Sequence, residues 1–253
     1  MNVPYFEWIE PYRCQGRLRK AARAVFLGSG VARWLAARAA RGRRDGVFVW
    51  VPKNAGTSLY EVLAAQGCIK LKTPEAVRAA FVQRGLVTFG HMSYTRLVAA
   101  GLVSADFDER AFRFGLARNP YTRAVSLWQY LPRVGLLDPA VSFETFCHLL
   151  RDGAFEPPGL FHHRGLSHCN PQVCWLAPAG EPSVDFIGRV EALEQDSRVI
   201  FGELGLEGTV GHRNRGAPSD PAAHYDGVTK ALVRSVYEAD LDRFAYTFPK
   251  RSE

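Results

Sequence analysis

The feature that most constrains the fold is an apolar segment followed at once by a short polar loop and an amphipathic stretch, within residues 47–66. The apolar segment, Val-Phe-Val-Trp-Val, contains only β-branched and aromatic residues and predicts a buried strand that ends at Pro52. Leucine and valine then recur at helical spacing, with Thr57 or Ser58 available as the N-cap. A helix that starts directly after such a loop offers unpaired N–H groups and a favourable dipole to an anion.

The loop itself consists of Pro52, Lys53, Asn54, Ala55, Gly56, Thr57 and Ser58. Gly56 allows the backbone to approach a phosphate, and the Lys53 ammonium adds a mobile positive charge. The nucleoside-triphosphate loop has a different order, because its lysine follows the glycine instead of preceding it. An ordinary strand–loop–helix turn is the alternative interpretation.

A second strand–turn–helix unit follows about 65 residues later. Its strand ends at Arg118, Asn119 is the predicted N-cap, and Pro120 suits the first helical turn. The Arg118 guanidinium and the hydroxyl of Ser126, two turns into the helix, could share one phosphate. In the alternative interpretation, Arg118 and Arg123 are surface charges and Ser126 is a buried hydroxyl.

Between these two units, a short predicted strand at residues 86–90 is followed by His91. The carboxyl ends of strands in open parallel sheets are where ligands bind, which makes His91 a candidate catalytic residue. A lone histidine at such a position is more often structural, so both interpretations stay open. A helix is predicted before this strand, with Thr73 as its N-cap and Pro74 at its first position.

Together the motifs resemble those of sulfotransferases that use 3′-phosphoadenosine 5′-phosphosulfate (PAPS). The order Pro-Lys-x-Ala-Gly-Thr-Ser is similar to their 5′-phosphosulfate loop, and Arg-Asn-Pro-Tyr-x-Arg-x-x-Ser to their 3′-phosphate-binding segment. Further stretches resemble carbohydrate sulfotransferases of family 2, and the Gly-His pair resembles the base segment of glycan 2-O-sulfotransferases. These stretches are Asn170-Pro-Gln, the Phe-Ile-Gly-Arg run from Phe186, and the C-terminal segment from Tyr237 to Tyr246.

The resemblance implies a P-loop-like α/β fold with a central, mainly parallel sheet flanked by helices. It also implies transfer of a sulfuryl group from PAPS to a hydroxyl of an acceptor, a sugar or glycan, which leaves 3′,5′-adenosine bisphosphate and requires no metal ion. Lys53 would stabilise charge on the departing phosphate, and His91 would take the acceptor proton. Donor binding is expected from the residues of the 52–58 loop together with Arg118 and Ser126.

Two other functions remain as alternatives. An ATP-dependent small-molecule kinase would share the strand–loop–helix unit, but it needs the Gly-Lys-Ser order that this chain lacks. A non-catalytic module would hold an acidic polymer or nucleic acid through the basic segment at residues 11–44. That segment holds ten Arg or Lys and no acid, so the net charge of +7 belongs to it and the rest of the chain is acidic.

The sequence predicts two parts, a basic helical extension at residues 1–45 and a sulfotransferase domain at residues 46–253. The basic segment is either a solvated helix or a peripheral contact with anionic lipid. Because no apolar run could span a bilayer and the N-terminus lacks the order of a secretory signal, a cytoplasmic protein is expected. A nucleic-acid partner is not expected. A loop near residue 160 is expected to reach the acceptor, and its histidines and cysteines lack a recognised metal-ligand spacing: His162, His163, His168, Cys169 and Cys174.

Overall fold

The structure, a computed structural model, describes residues 44–155, 166–178, 183–210 and 220–249. The predicted N-terminal extension falls almost entirely outside these ranges, so the domain boundary at residue 45 remains a prediction. Within the described ranges the chain forms a five-stranded sheet of order β2-β3-β1-β4-β5, in which every strand pairing is parallel. The strands are β1 (Gly46–Val49), β2 (Ile69–Lys70), β3 (Leu86–Thr88), β4 (Phe112–Ala117) and β5 (Phe186–Arg189).

Helices cover both faces of this sheet, which confirms the predicted α/β class with a central parallel sheet flanked by helices. No helix of the described ranges is long and apolar enough to cross a bilayer. In chain order the helices are α1 (Gly56–Ala65), α2 (Pro74–Ala80), α3 (Tyr94–Ala99), α4 (Ala105–Arg110), α5 (Pro120–Tyr130), α6 (Phe143–Arg151), α7 (Val173–Leu176), α8 (Leu193–Leu204), α9 (Gly227–Val236) and α10 (Glu238–Arg243).

The central strand β1 is buried on both faces because its side chains alternate between two hydrophobic clusters. Val47 and Val49 point into one cluster, which α2, α3, α4 and α7 complete. Phe48 points into the other, where it meets the apolar sides of α1 and α8. Full burial of such a side chain stabilises the fold by about 1.5–3 kcal/mol, so the apolar run anchors the strand in the middle of the sheet.

A third hydrophobic cluster lies among helices alone and holds α5 in place. It joins Leu127 of α5 to Phe146 of α6, Val233 of α9 and Tyr237, which precedes α10. Each of these four side chains is fully buried. Helix α5, which begins next to Arg118, is therefore fixed by packing along its whole length.

The predicted helix starts are confirmed at two positions and wrong at a third. Thr73 Oγ1 accepts a hydrogen bond from Ala76 N at 3.2 Å, and Asn119 Oδ1 accepts one from Tyr121 N at 3.0 Å. Helix α1 starts earlier than expected, because Ala55 adopts a left-handed conformation and becomes the N-cap with no side-chain cap bond. Thr57 and Ser58 therefore lie inside the first turn of α1 and do not cap it.

The strand order creates a switch point beside β1. The chain leaves β1 toward β3 and β2 on one side of the sheet, whereas it leaves β4, on the other side of β1, toward β5. Between two adjacent parallel strands whose connections diverge, the carboxyl ends border a crevice that binds ligands in open α/β sheets. The loop after β1 and the loop after β4 lie side by side at this crevice.

Candidate active site

Two arginines, Arg123 fully buried and Arg118 partly buried, join the loop after β1 to the segment after β4. Arg118 Nη1 donates to Lys53 O at 3.0 Å, and Arg123 Nε donates to Pro52 O at 3.2 Å. The two sequence motifs therefore meet directly, although 65 positions separate Arg118 from Lys53. Arg123 is 0% exposed, so the interpretation of this residue as a surface charge is wrong.

The loop after β1 has an uncommon backbone shape. Lys53 and Ala55 have φ angles of 67° and 53°, in the left-handed region that costs an L-residue about 1–2 kcal/mol. The intervening Asn54 is 1% exposed, and its Nδ2 donates to Leu116 O and to Gln172 Oε1, both at 2.6 Å. Because Asn54 is attached to the strand β4 and to a distant segment, the surrounding structure maintains the strained loop.

Gly56 is required by a neighbouring side chain as well as by any ligand. A Cβ at this position would lie 1.9 Å from Nε1 of Trp50, far inside van der Waals contact. The approach of a phosphate was the predicted reason for Gly56, whereas its contact with the Trp50 ring was not predicted. Trp50 itself is held by stacking on Phe48, with ring centroids 5.5 Å apart.

Lys53 carries its ammonium into a positively charged, partly buried environment. Its Nζ lies 4.0 Å from the ring centroid of Tyr130, over the face of the ring. Burial, followed by the charges of Arg118, Arg133 and Arg123, lowers the pKa of Lys53 to about 8. The side chain remains mainly protonated at neutral pH, and its cationic neighbours make an anion the favoured occupant of the space beside it.

His91 lies past the carboxyl end of β3 and faces the backbone of Trp50. Its Nδ1 is 2.8 Å from Trp50 O, and a carbonyl oxygen can only accept, so Nδ1 carries the proton and Nε2 the lone pair. Burial is the main cause that lowers the pKa of His91 to about 4, and the charges of Lys70, Lys72 and Arg123 act in the same direction. At neutral pH the ring is therefore an uncharged imidazole able to accept a proton.

An aromatic row connects His91 to Lys53. The buried ring of His168 packs edge-on against His91, with centroids 5.3 Å apart, and lies 5.6 Å from the ring of Tyr130. Since Tyr130 underlies the Lys53 ammonium, the row runs from the candidate base to the candidate cation. Of the three histidines flagged in the sequence, only His168 is described, since His162 and His163 lie outside the described ranges.

The segment after β4 presents a guanidinium and two hydroxyls along one side of α5. Arg118 Nε donates to Thr122 Oγ1 at 3.1 Å, and Ser126 follows Thr122 by four residues on the same helix face. Burial lowers the pKa of Arg118, an effect that Glu191 opposes and Arg123 reinforces. Arg118 and Ser126, which were predicted to share one phosphate, thus lie on the same side of α5. The contact of Ser126 with a ligand remains a prediction.

Sequence reasoning missed the role of Arg123. Besides Pro52 O, its guanidinium donates to Asn170 O at 3.0 Å and to His168 O at 2.7 Å. It therefore attaches α5 to both the loop after β1 and the segment that carries His168. Its spacing, one helical turn after Asn119 on a helix with an apolar face, was the available signal that it points inward.

Among the described residues, no group of three or more histidine, cysteine, aspartate or glutamate side chains could hold a metal ion. Neither a family model nor a curated protein matches the sequence. Among solved structures, the chain is similar to mouse sulfotransferase SULT7A1 complexed with PAP, at 16% identity and a TM-score of 0.42. The match covers 78% of this chain and 65% of that one, so the chain spans less than two thirds of that protein.

Proposed function

We propose that this protein is a sulfotransferase that moves a sulfuryl group from PAPS to a hydroxyl of an acceptor, a sugar or glycan. The observation that carries the proposal is the pair of hydrogen bonds from Arg118 and Arg123 to the backbone of Lys53 and Pro52. These bonds bring together, at the switch point of the sheet, the two motifs that resemble the 5′-phosphosulfate loop and the 3′-phosphate segment. A donor with phosphates at both ends of a ribose matches two adjacent anion sites.

In this proposal the donor lies across both loops. The N–H groups at the start of α1 and the hydroxyls of Thr57 and Ser58 bind the phosphosulfate, with Lys53 beside the bridging oxygen. Arg118 and Ser126 bind the 3′-phosphate, the group that distinguishes PAPS from ATP. Burial is the main cause of the lowered pKa of Lys53, and the smaller contributions of Arg118, Arg133 and Arg123 support this assignment, because an anionic donor relieves the repulsion among these cations.

The chemistry is a single in-line displacement. The acceptor oxygen attacks sulfur while the bond between sulfur and the phosphate oxygen breaks, and the electron pair of that bond departs on 3′,5′-adenosine bisphosphate. Lys53 stabilises the charge that develops on the departing oxygen. The acceptor proton passes to Nε2 of His91, which becomes an imidazolium and later releases the proton to water.

The neutral, Nδ1-protonated state of His91 supports its role as the base. Its Nδ1–H bond to Trp50 O fixes the ring orientation, and the same bond strengthens when the ring becomes positively charged. Replacement of His91 by alanine is expected to cut turnover ~10²-fold or more while leaving the affinity for 3′,5′-adenosine bisphosphate unchanged. A near-normal rate in this variant would assign the proton transfer to another group.

The sugar or glycan class of the acceptor rests on the likeness of residues 170–172 and 186–189 to carbohydrate sulfotransferases. The cytoplasmic location and the contact of residues 11–44 with anionic lipid likewise remain predictions. Sedimentation with vesicles that contain or lack anionic lipid tests that contact, and a fully soluble protein in both cases would contradict it.

The experiment that tests the proposed function is calorimetric titration with 3′,5′-adenosine bisphosphate, run beside ATP with magnesium. We expect micromolar or tighter binding of the bisphosphate and weak binding of ATP. A preference for ATP would favour the kinase alternative. If neither nucleotide binds, and heparin binds in a salt-dependent manner, the chain is a polyanion-binding module.

A further inference from the structure

A single buried glutamine lies between the two anion-binding loops. The side chain of Gln172 is 0% exposed. Its Oε1 accepts from Asn54 Nδ2 at 2.6 Å and from Arg118 N at 2.8 Å, while its Nε2 donates to Arg118 O at 2.9 Å. The amide thus contacts the loop after β1 through Asn54 and both backbone polar groups of the residue that begins the segment after β4.

A buried carboxylate completes the hydrogen bonding of this glutamine. Asp240 of α10 is 0% exposed, and its Oδ2 accepts from Gln172 Nε2 at 3.1 Å. The same carboxylate accepts from Gln172 N and from Val173 N, each at 2.8 Å. Both hydrogens and both lone pairs of the Gln172 amide are therefore used, which leaves the side chain one orientation.

We infer that Gln172 and Asp240 are positioning residues that fix the separation of the two anion-binding loops and so make the site selective for a nucleotide phosphorylated at both the 5′ and 3′ positions. The inference rests on the proposed function. Gln172 acts on the ligand only through Asn54 and Arg118, and Asp240 acts only through Gln172. If the two loops stand at the wrong distance, they cannot both bind their phosphates of one ligand in good geometry, so the binding of one phosphate is weakened.

The two loops need such a connection because the pairing of strands β1 and β4 does not by itself fix the distance between them. Strands β1 and β4 pair up to Val49 and Gly115, and the loops continue beyond this last pair. Past that point, the hydrogen bonds that connect them within the described ranges come from the side chains of Asn54, Arg118, Arg123 and Gln172. Among these, Gln172 alone bonds to both loops with its side chain while belonging to neither.

The test compares affinity for 3′,5′-adenosine bisphosphate with affinity for adenosine 5′-monophosphate in Gln172→Glu. Glutamate retains the shape of glutamine and its acceptor oxygen, but it cannot donate to Arg118 O and its charge faces Asp240. We expect the preference for the bisphosphate, expressed as the ratio of the two dissociation constants, to fall by ~10-fold. The dissociation constant of the monophosphate should change less than ~3-fold. Asp240→Asn, which removes at least one acceptor, is expected to shift the ratio in the same direction and by less.

Thr229→Val is the matched control, because Thr229 is equally buried and its hydroxyl belongs to the capping box of α9 away from the loops. It is expected to lower the melting temperature and leave the ratio unchanged. If the variants of Gln172 and Asp240 lose thermal stability but retain the wild-type ratio, the inference is overturned. Should Gln172→Glu not fold, Asp240→Asn decides by the same ratio. If the wild-type protein itself shows no preference for the bisphosphate, the proposed function fails, which is a distinct result.

Discussion

The loop after β1 and the loop after β4 both lead from a buried parallel strand into a helix, but different forces shape them. The second follows local rules, since Asn119 caps α5 and Pro120 occupies its first position. The first contains two left-handed non-glycine residues, a glycine required by Trp50, and an asparagine bonded to Gln172. The helix start in the second segment thus follows from its own sequence, although Gln172 also bonds the backbone of Arg118, whereas the backbone shape of the first loop depends on its neighbours. In the proposed site the loop under strain carries the reactive end of the donor.

This contrast predicts that changes in the first loop reduce rate and changes in the second reduce affinity. The largest effect is expected for Lys53→Met, which keeps a flexible side chain but removes the charge. Turnover should fall ~10³-fold, because stabilisation of the departing oxygen is lost. Single-turnover kinetics measure this loss, and Lys53→Arg, which restores a positive charge, should recover part of it. Normal turnover in Lys53→Met would exclude the lysine from the reaction.

The two loops should also differ in their response to pH, because a lysine with a pKa of about 8 titrates whereas arginines do not. Lys53 loses its charge as the pH rises, so kcat/KM should fall about tenfold per pH unit above 8. Bound donor favours the charged form, which moves the corresponding limb of kcat to higher pH. The acid limb should lie near pH 4, where His91 becomes protonated. An alkaline limb of kcat/KM that persists in Lys53→Arg would assign it to another group.

The same shift predicts an opposite trend for stability. The folded state disfavours the charged form of Lys53, so between pH 8 and pH 10.5 the unfolded chain binds more protons at this residue than the folded one. The contribution of Lys53 to the free energy of unfolding therefore rises across this window while activity falls. Urea unfolding of the wild type and of Lys53→Met at both ends of this pH window isolates the contribution of Lys53. If the difference in free energy of unfolding between the two proteins does not change with pH, the shifted pKa is contradicted.

In the second loop, Arg118→Ala should weaken the affinity for 3′,5′-adenosine bisphosphate by ~10–100-fold, since a hydrogen bond to a charged group contributes about 1.5–3 kcal/mol. Turnover at saturating donor should change much less. Arg113→Ala is the control, because Arg113 lies on β4, the strand that leads to Arg118, and forms its ion pair with Asp185 outside the proposed site. Equal effects of the two substitutions on affinity would indicate a general change in charge and not a specific contact.

For the first loop, Gly56→Ala is expected to cost about 1–3 kcal/mol of stability, because the new methyl group would overlap the indole of Trp50. Chemical denaturation measures the cost. The double variant Gly56→Ala with Trp50→Leu is the informative partner: if the indole causes the loss, alanine should cost less in the leucine background than in the wild type. Additive costs would show that Trp50 is not the reason for the glycine.

The smallest effect is expected at the cap of the second loop. Asn119→Ala removes the acceptor for Tyr121 N and should cost about 1 kcal/mol of stability. Thr73→Ala removes the equivalent cap of α2, distant from the site, and is expected to cost a similar amount. A much larger cost at Asn119 would show that its second bond, from Nδ2 to Thr247 O, contributes more than the cap.

Sequence reasoning succeeded where local chemistry determines the structure. The apolar run from Val47, the caps at Thr73 and Asn119, and the positions of β3 and β4 follow from patterns a few residues long. It failed at the cap of α1, since nothing near Ala55 in the sequence indicates a left-handed alanine. It also failed at Arg123, which it named only as a surface charge in the alternative interpretation, because the three carbonyl partners of this buried residue come from other parts of the chain.

The contact between Asn54 and Gln172 has a consequence for how this molecule comes into being. The two residues are 118 positions apart, and the Asp240 that orients Gln172 lies a further 68 positions along the chain. During synthesis, the loop after β1 leaves the ribosome well before Gln172 and Asp240, so its geometry is complete only after both of these residues have emerged. Closing so long a segment adds entropy cost before any contact rewards it. In the proposed site, competence to bind nucleotide is thus acquired only once α10 has packed in place, and a chain truncated before α10 would contain both motifs without a finished site.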